Sequence, residues 1–224
     1  NQVIRHIAEE GGEPVLTDLM DFFLYCLLDP VYLWRHMGGK ALPALGNWLI
    51  IKRIESLRDA MRRALEGSRF LPVSRIADLA RSVRGIVSTG NQAGEGWLLT
   101  AEMLELIDHG VGNVLCLQPF GCLPNHITGK GVLKELKRIR PHANLMAVDY
   151  DPGSSEANQL NRIKLFMTVA RSRIPQEAQG DHAPASLNES VAQLAGRLRD
   201  NLKGKLENTI GGSGNSGDEV TNPA

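Results

Sequence analysis

The chain has 224 residues with 25 basic and 25 acidic side chains, so its formal net charge is zero. Hydrophobic residues make up 42% of it, but its longest unbroken apolar run is the seven residues of 22–28, far short of the roughly 18 that a membrane span needs. This composition excludes a transmembrane helix and lacks the basic excess that is typical of nucleic-acid-binding proteins. We therefore expect neither a membrane nor a nucleic acid as a partner.

Cysteine is sparse, with only Cys26, Cys116 and Cys122 in the chain. A small, odd number of cysteines does not make a disulfide framework and is typical of a reducing compartment, so we expect a cytoplasmic protein. The length is typical of one good-sized domain with some chain to spare. Because the chain starts without methionine, inside a helical pattern that stops only at Gly11, we expect it to be a fragment of a longer protein.

The first half of the chain predicts mainly helices. Residues 13–16 have the apolar content of a short buried strand, and helical patterns follow over 18–28, over 44–66 and after Pro72. Asp29-Pro30 should end the first of these helices. The side chains predicted to face inward are Leu19, Phe22, Phe23, Cys26 and Leu27, then Ile54, Leu57, Met61, Ala64 and Leu65, then Ile76, Leu79, Ala80 and Val83. The side chains predicted to be solvated on the long helix are Arg53, Arg58, Arg62 and Arg63.

The middle of the chain alternates between helix and strand. Helical stripes end at Gly110 and Pro141, and a third covers residues 160–170. Short apolar strands are predicted over 113–117 and 145–148. This alternation, with short connections, predicts a small parallel sheet covered by helices, that is, an α/β fold with an excess of helix.

The pattern changes near residue 175. We place a boundary there between an α/β domain over residues 1–175 and a tail over 176–224. Residues 186–206 could form one amphipathic helix, and the glycine-, serine- and asparagine-rich sequence after residue 210 predicts disorder. We expect no chemistry in the tail.

Two loops stand where a parallel α/β sheet binds its ligands, at the carboxyl ends of its strands. The first, 119–124, contains Cys122, and the second is 149–153. For Cys122, a ligand or reactive thiol and an inert thiol are both compatible with the pattern. For Cys26 and Cys116, which fall on a helix face and inside a strand, burial is the favoured interpretation.

Two further features near this loop have ordinary interpretations beside chemical ones. His126 follows Cys122 by four residues, a spacing that a metal pair can have, but a hydrogen-bonded loop histidine is the favoured interpretation. The segment 129–131 predicts the start of a helix, where Gly129 and Lys130 could hold an anion. It lacks the spacing of a nucleotide P-loop.

Four stretches together carry a resemblance to a known family. They are Gly94-Glu95-Gly96-Trp97-Leu98-Leu99, Leu117-Gln118-Pro119-Phe120-Gly121-Cys122-Leu123-Pro124-Asn125-His126-Ile127, Asp149-Tyr150-Asp151-Pro152-Gly153 and Asn158-Gln159-Leu160-Asn161-Arg162. The chain resembles the 2-hydroxyglutaryl-CoA dehydratase D-component-like proteins, in particular the large branch in which an ATP-dependent activase precedes the dehydratase-like region. The resemblance covers about residues 1–170 and is dense between 94 and 162.

This resemblance implies a flavodoxin-like (Rossmann-like) part of an iron–sulfur protein of anaerobic metabolism. In that family an activase that hydrolyses ATP delivers a low-potential electron to a cluster held by cysteines. The related dehydratases use this electron to remove water from a 2-hydroxyacyl-CoA. Cys122 matches the cysteine of the family's Phe-Gly-Cys-x-Pro motif and is the implied cluster ligand, with Cys116 a weaker candidate.

The resemblance also implies partners that lie outside this chain. These are the upstream activase and dehydratase-like regions of the parent protein and an acyl-CoA substrate, and the other cluster ligands are expected there too. Two other functions are compatible with the residues. One is a non-catalytic docking domain with inert cysteines, and the other is a flavodoxin-like binder of a nucleotide or CoA phosphate near Gly129.

Overall fold

The computed structural model describes residues 2–68, 70–119, 121–150, 153 and 155–173, together with the helical residues 195, 196, 199, 200 and 203. The chain divides into two units, one of residues 1–53 with 74–182 and the other of residues 54–73 with 183–224. Apart from those five positions, the predicted helix over 186–206 and the predicted tail lie outside the described residues.

The described residues are mostly helical, with two short strands. They form α1 (Gln2–Glu9), α2 (Leu19–Met37), α3 (Ala41–Leu65), α4 (Ile76–Ser82), α5 (Trp97–Asp108), β1 (Asn113–Gln118), α6 (Leu133–Ile139), β2 (Asn144–Asp149) and α7 (Glu156–Ser172). A π-helical turn, Asn125–Gly129, and a 3-10 turn, Lys130–Val132, lead directly into α6. Within this described part, every helix is too short or too polar to cross a bilayer. The helices and the two strands together confirm a helix-rich α/β fold.

The two strands form a parallel sheet, as the alternation of elements predicts. Asn113 lies opposite Asn144, and the register continues to Gln118 opposite Asp149. Because parallel strands end at the same side of a sheet, the loops after Gln118 and Asp149 open together. We call this end of the sheet, with the residues that follow each strand, the carboxyl edge.

A small apolar core lies between α1, α7 and the sheet. Val3 of α1 is buried with Ile163, Phe166 and Met167 of α7, and partly buried side chains of both strands pack against this cluster. The removal of these side chains from water is the main favourable term that holds α1 and α7 on the sheet. The rigid sheet in turn fixes the positions of the loops at its carboxyl edge.

Several predicted apolar faces are confirmed, namely those of α4, α5 and α7. The side chains on these predicted faces that are buried are Ile76, Leu79, Val83, Met103, Ile107, Ile163, Met167 and Ala170.

Two element boundaries differ from the prediction. The predicted strand at residues 13–16 is wrong, since these residues pair with no strand in the described chain and Leu16 is exposed. The predicted end of a helix at Asp29-Pro30 is also wrong, because α2 runs through Pro30 to Met37 and ends at Gly38, which has a positive φ of 68°. Proline removes one helical hydrogen bond, and α2 nevertheless continues for seven residues beyond Pro30.

The buried face of α2 is not the predicted one. Asp21, Leu24 and Tyr25 are buried, whereas Phe23 and Cys26 are exposed. Apolar residues occupy nearly every side of this helix, so the spacing of apolar residues alone could not select the inward face.

The predicted seam of α3 is only partly correct, since Ala64 is buried as predicted. Leu57 and Met61 are exposed, while Arg58 is buried and Arg62 is half-buried. The guanidinium of Arg62 donates to Glu55 Oε2 and to Asp59 Oδ1, both at 2.7 Å. These ion pairs explain how the helix buries arginines that the sequence placed in solvent, since a buried charge needs a partner.

Candidate functional site

The structure places Cys122 on the loop that leaves β1 at the carboxyl edge, in agreement with the prediction. Its side chain is half-buried, and its thiol donates to Asn125 Oδ1 at 2.7 Å. Its backbone N–H donates to the carbonyl of Pro119 at 3.2 Å, and its carbonyl accepts from the N–H of His126 at 3.0 Å. These bonds hold the thiol in one place at the edge and leave part of it open to solvent.

His126 is a hydrogen-bonded histidine, as the favoured interpretation holds. Its Nδ1 lies 2.9 Å from the carbonyl oxygen of Cys122, one helical turn back, so Nδ1 carries the proton and donates. The ring therefore supports the turn that follows Cys122, and this bond accounts for the four-residue spacing without a metal.

The predicted start of a helix at residues 129–131 is wrong. The helical run begins at residue 123, so Gly129 lies inside it and is buried. The N–H of Lys130 already bonds to the carbonyls of Asn125 and His126, and its ammonium lies 3.7 Å from Asp149 Oδ2. The free N–H groups on which an anion site at Gly129 and Lys130 would depend are thus absent from this described stretch.

Cys116 is a buried thiol, as its place inside β1 predicts. Its Sγ is so close to Gly129 that a Cβ on that glycine would lie 3.1 Å from it. Burial first and the charge of Glu102 second raise the pKa of Cys116 to about 11. Since a metal ligand or nucleophile must be a thiolate, this environment favours the inert interpretation. Cys26, by contrast, is exposed, and the prediction that it is buried is wrong.

The two strands end on a polar pair that sequence reasoning missed. The amide nitrogen of Gln118 donates to Asp149 Oδ1. This bond lowers the pKa of the Asp149 carboxyl, and the nearby Lys130, His126 and Arg162 lower it further. Apart from its place in the second stretch of the resemblance, the sequence signal for Gln118 was an amide directly after the predicted strand 113–117.

The other end of the Gln118 amide is unused. Gln118 is fully buried, and its Oε1 has no hydrogen-bond partner among the described residues. Buried polar atoms without partners are rare in folded proteins, and each asks for an explanation.

Two of the stretches that carry the family resemblance contact each other. Gly94, with a positive φ of 59°, lies so close to the loop of Cys122 that a Cβ on it would be 2.8 Å from Cγ of Pro124. The hydroxyl of Thr100 in α5 donates to the carbonyl of Thr128 at 2.6 Å. The hydroxyl of Thr128 in turn donates to the carbonyl of Pro124 at 2.8 Å. The start of α5 thus supports the turn that follows Cys122.

Apolar side chains next to Cys122 face solvent. Leu123 is 67% exposed and Ile127, one turn later in the same helical run, is 53% exposed. Leu117, the last but one residue of β1, and Tyr150, directly after β2, are also exposed. Grouped apolar exposure of this kind is typical of a surface that another protein segment covers.

The described residues do not make a complete metal site. Among them, no group of three or more His, Cys, Asp or Glu side chains is arranged to hold a metal ion. An iron–sulfur cluster is usually held by four cysteines, and Cys122 offers one thiol. A cluster at this edge would need ligands from outside the described part of the chain.

Comparison with protein-family models, curated proteins and solved structures finds no match to this chain. The resemblance to the dehydratase-like family therefore stays a prediction that depends on the four stretches named above.

Proposed function

We propose that the carboxyl edge is the functional site, and that Cys122 supplies one thiolate to an iron–sulfur cluster completed by residues outside the described part. The parent would be a protein of the 2-hydroxyacyl-CoA dehydratase and activase kind. The placement of Cys122 carries this proposal. Of the three cysteines, it alone combines partial exposure with a loop at the carboxyl edge.

The surroundings of Cys122 support a ligand-binding role. The edge holds the Asp149 carboxylate, which accepts a hydrogen bond from the Gln118 amide nitrogen. The π-helical turn 125–129 follows directly, and such turns occur frequently at functional sites. When bound, a cluster would supply the low-potential electron that the resemblance implies.

Exposed Leu123 and Ile127 support the view that the site is shared. A cluster held between two protein surfaces needs both to be partly apolar so that water is excluded. In this proposal the covering surface belongs to the activase or dehydratase-like region of the parent, and those regions would also bring the acyl-CoA substrate.

Protection of the thiol by iron tests this proposal. The intact parent protein, which would supply the other ligands, is purified without oxygen, stripped of iron, incubated with or without ferrous iron and sulfide and then pulsed with N-ethylmaleimide. Peptide mass spectrometry measures the labelling of each cysteine. We expect Cys122 to react roughly tenfold more slowly after incubation, because a metal-bound thiolate is no longer a free nucleophile. Exposed Cys26 is the internal control and should react equally in both samples.

Iron content of variants gives the second readout. Cys122→Ser should lose most of the bound iron, and Cys26→Ser should keep it. Equal labelling of Cys122 with and without iron and sulfide, or full iron content in Cys122→Ser, contradicts the proposed ligand.

A docking domain with inert cysteines is the second candidate function, and exposed apolar residues of the first unit favour it. Met37 and Leu42, near the junction of α2 and α3, are 70% and 80% exposed. This candidate predicts that iron and sulfide change the labelling of none of the three cysteines.

A further inference from the structure

Large apolar side chains are exposed where α2 ends and α3 begins. We call residues 31–53 the hairpin tip, and all of them belong to the first unit. The large apolar side chains of the tip that are exposed are Leu33, Trp34, Met37, Leu42, Leu45, Trp48, Leu49 and Ile50. A groove of about 690 Å³ between the two helices, lined by Trp34 and Trp48 among others, continues this surface. Exposed apolar surface of this extent is typical of a site that binds another protein or a membrane.

The lysines and arginines of the hairpin tip have no acidic residues among them. Although the whole chain has no net charge, residues 30–54 contain no aspartate or glutamate. The basic residues there, all of them exposed, are Arg35, Lys40, Lys52 and Arg53. The ammonium of Lys52 lies 5.5 Å from the ring centroid of Trp48, so positive charge and exposed apolar surface are side by side. The expectation of no membrane partner depends on the net charge of the whole chain, and that sum conceals this local excess.

A second copy of the chain and a folded protein partner both fit this surface poorly. A symmetric dimer pairs a surface with itself, so it would bring the basic residues of two tips together without a carboxylate in either tip to pair with them. The exposed apolar residues of α3, from Leu42 to Ile50, spread over roughly 200° of the helix circumference, an arc wider than a single flat surface covers. Protein interfaces are also depleted in lysine. A fluid anionic surface, which can surround the tip, meets both conditions.

We propose that the hairpin tip binds the surface of a membrane that contains anionic lipids. Segments that lie in a membrane interface combine tryptophan and leucine with lysine and arginine. Trp34, Leu42 and Trp48 enter the boundary between headgroups and acyl chains, and the four basic side chains bind lipid phosphates. The helices lie on the bilayer and do not cross it. This inference supplies a partner for the docking role that the same exposed residues favour, and it holds with or without iron at Cys122.

Flotation with lipid vesicles measures this binding. The full chain is mixed with vesicles of phosphatidylcholine alone, or of phosphatidylcholine and phosphatidylglycerol in equal parts, and the fraction that floats with the lipid is determined. We expect the anionic vesicles to bind at least about tenfold more strongly, because each lysine or arginine near the surface adds to the attraction. Added salt should weaken that binding, since it screens the charges.

Matched variants separate the tip from the rest of the surface. Lys40→Glu should weaken binding to anionic vesicles at least about tenfold, whereas Lys164→Glu, at an exposed position of α7, should leave it within about threefold. Leu42→Gln should also weaken binding about tenfold, because an apolar side chain no longer enters the lipid. Leu165→Gln, likewise exposed on α7, should not. Because all four positions are exposed, the thermal midpoint should stay close to that of the wild type.

Tryptophan emission reports which face meets the lipid. Of the three tryptophans, Trp34 and Trp48 lie in the tip, and Trp97 is buried. Vesicles whose acyl chains carry bromine should quench the emission of the wild-type chain. They should not quench the double variant Trp34→Phe/Trp48→Phe, in which Trp97 alone emits. This variant should still float, because phenylalanine keeps an apolar ring at each position.

Four results would each overturn the proposal. The first is no flotation with anionic vesicles, or equal flotation of the wild type and Lys40→Glu. The second is flotation without quenching of the wild type, since another face then meets the lipid. The third is a dimer in analytical ultracentrifugation that Leu42→Gln dissociates, which assigns the tip to a second copy. The fourth is flotation of the full chain but not of the intact parent protein, whose other regions would then cover the tip. None of these measurements uses iron, so each leaves the proposed role of Cys122 unchanged.

Discussion

Replacement of Gly96 by alanine is expected to lower the free energy of unfolding by about 3 kcal/mol or more. Gly96 has φ 46° and ψ −132°, a backbone conformation that side chains rarely allow. A Cβ there would lie 1.9 Å from the carbonyl oxygen of Asn91 and 2.4 Å from the Tyr25 hydroxyl. Neither atom is the end of a free side chain, so the backbone itself must move.

That movement would break bonds that hold the start of α5. The carbonyl of Asn91 accepts from the N–H of Trp97 at 3.0 Å and from the Tyr25 hydroxyl at 3.5 Å. The ring of Tyr25 contacts that of Trp97 edge-on, with centroids 5.3 Å apart. Gly96→Ala should therefore also disturb the packing of Trp97 against Tyr25.

Two other glycines serve as matched controls in urea denaturation. Gly38 has a positive φ of 68° but open space around its missing Cβ, so Gly38→Ala should cost only about 1 kcal/mol. Gly112 has open space and no positive φ, so Gly112→Ala should stay within about 0.5 kcal/mol of the parent. A Gly96→Ala variant no less stable than Gly38→Ala would show that the close approach to Asn91 is wrong.

The parallel sheet could be predicted because its signals are local and redundant. The segments 113–117 and 145–148 are short apolar runs separated by a helical stripe, and a helical crossover of that length is the usual connection between parallel strands. Placing Cys122 at the carboxyl edge followed from this topology alone. On α4, α5 and α7 the predicted apolar positions are buried or half-buried.

The faces of α2 and α3 could not be read in the same way. In α2, apolar residues lie on nearly all sides, and Asp21 is buried on the same face as Leu24 and Tyr25. In α3, ion pairs allow Arg58 and Arg62 to leave solvent, which a hydropathy pattern cannot anticipate. Tertiary contacts, and not local spacing, selected these faces.

The candidate site was predicted only as far as its loop. Two of its features join residues that are distant in sequence, namely the close approach of Gly94 to Pro124 and the bond between Gln118 and Asp149. A third, the helical run through Gly129, begins a few positions earlier than the sequence predicts.

The second large effect concerns Glu102 in α5. Burial first, and then the charges of Asp21 and Glu105, raise the pKa of Glu102 to about 8, although a hydrogen bond from Thr17 acts in the opposite direction. The unfolded chain should release this proton near pH 4.5, whereas the folded chain keeps it until about pH 8. Between these values the folded state binds more protons than the unfolded state, so stability falls as pH rises and the loss is complete above about pH 8.

Glu102→Gln should remove this pH-dependent loss. Glutamine has no proton to release and can still accept from Thr17, so the variant should match the parent near pH 4 and exceed it increasingly towards pH 8. A shift of this size corresponds to a gain on the order of 4 kcal/mol at the upper end. Urea denaturation at several pH values measures it. Glu156→Gln, at an exposed position in the first turn of α7, controls for the removal of one negative charge and should change stability by less than about 1 kcal/mol.

The same variant also tests how Cys116 is kept unreactive. Because burial raises the pKa of Cys116 first and the Glu102 charge second, removing that charge should lower the pKa of the thiol only in part. In Glu102→Gln, maleimide labelling of native Cys116 at high pH should rise modestly and remain far below that of exposed Cys26. A stability that does not depend on residue 102 between pH 4 and 8 would show that Glu102 is already ionised in the folded protein. Cys116 labelling as fast as that of Cys26 would show instead that burial does not protect this thiol, and it would return Cys116 to the set of candidate cluster ligands beside Cys122.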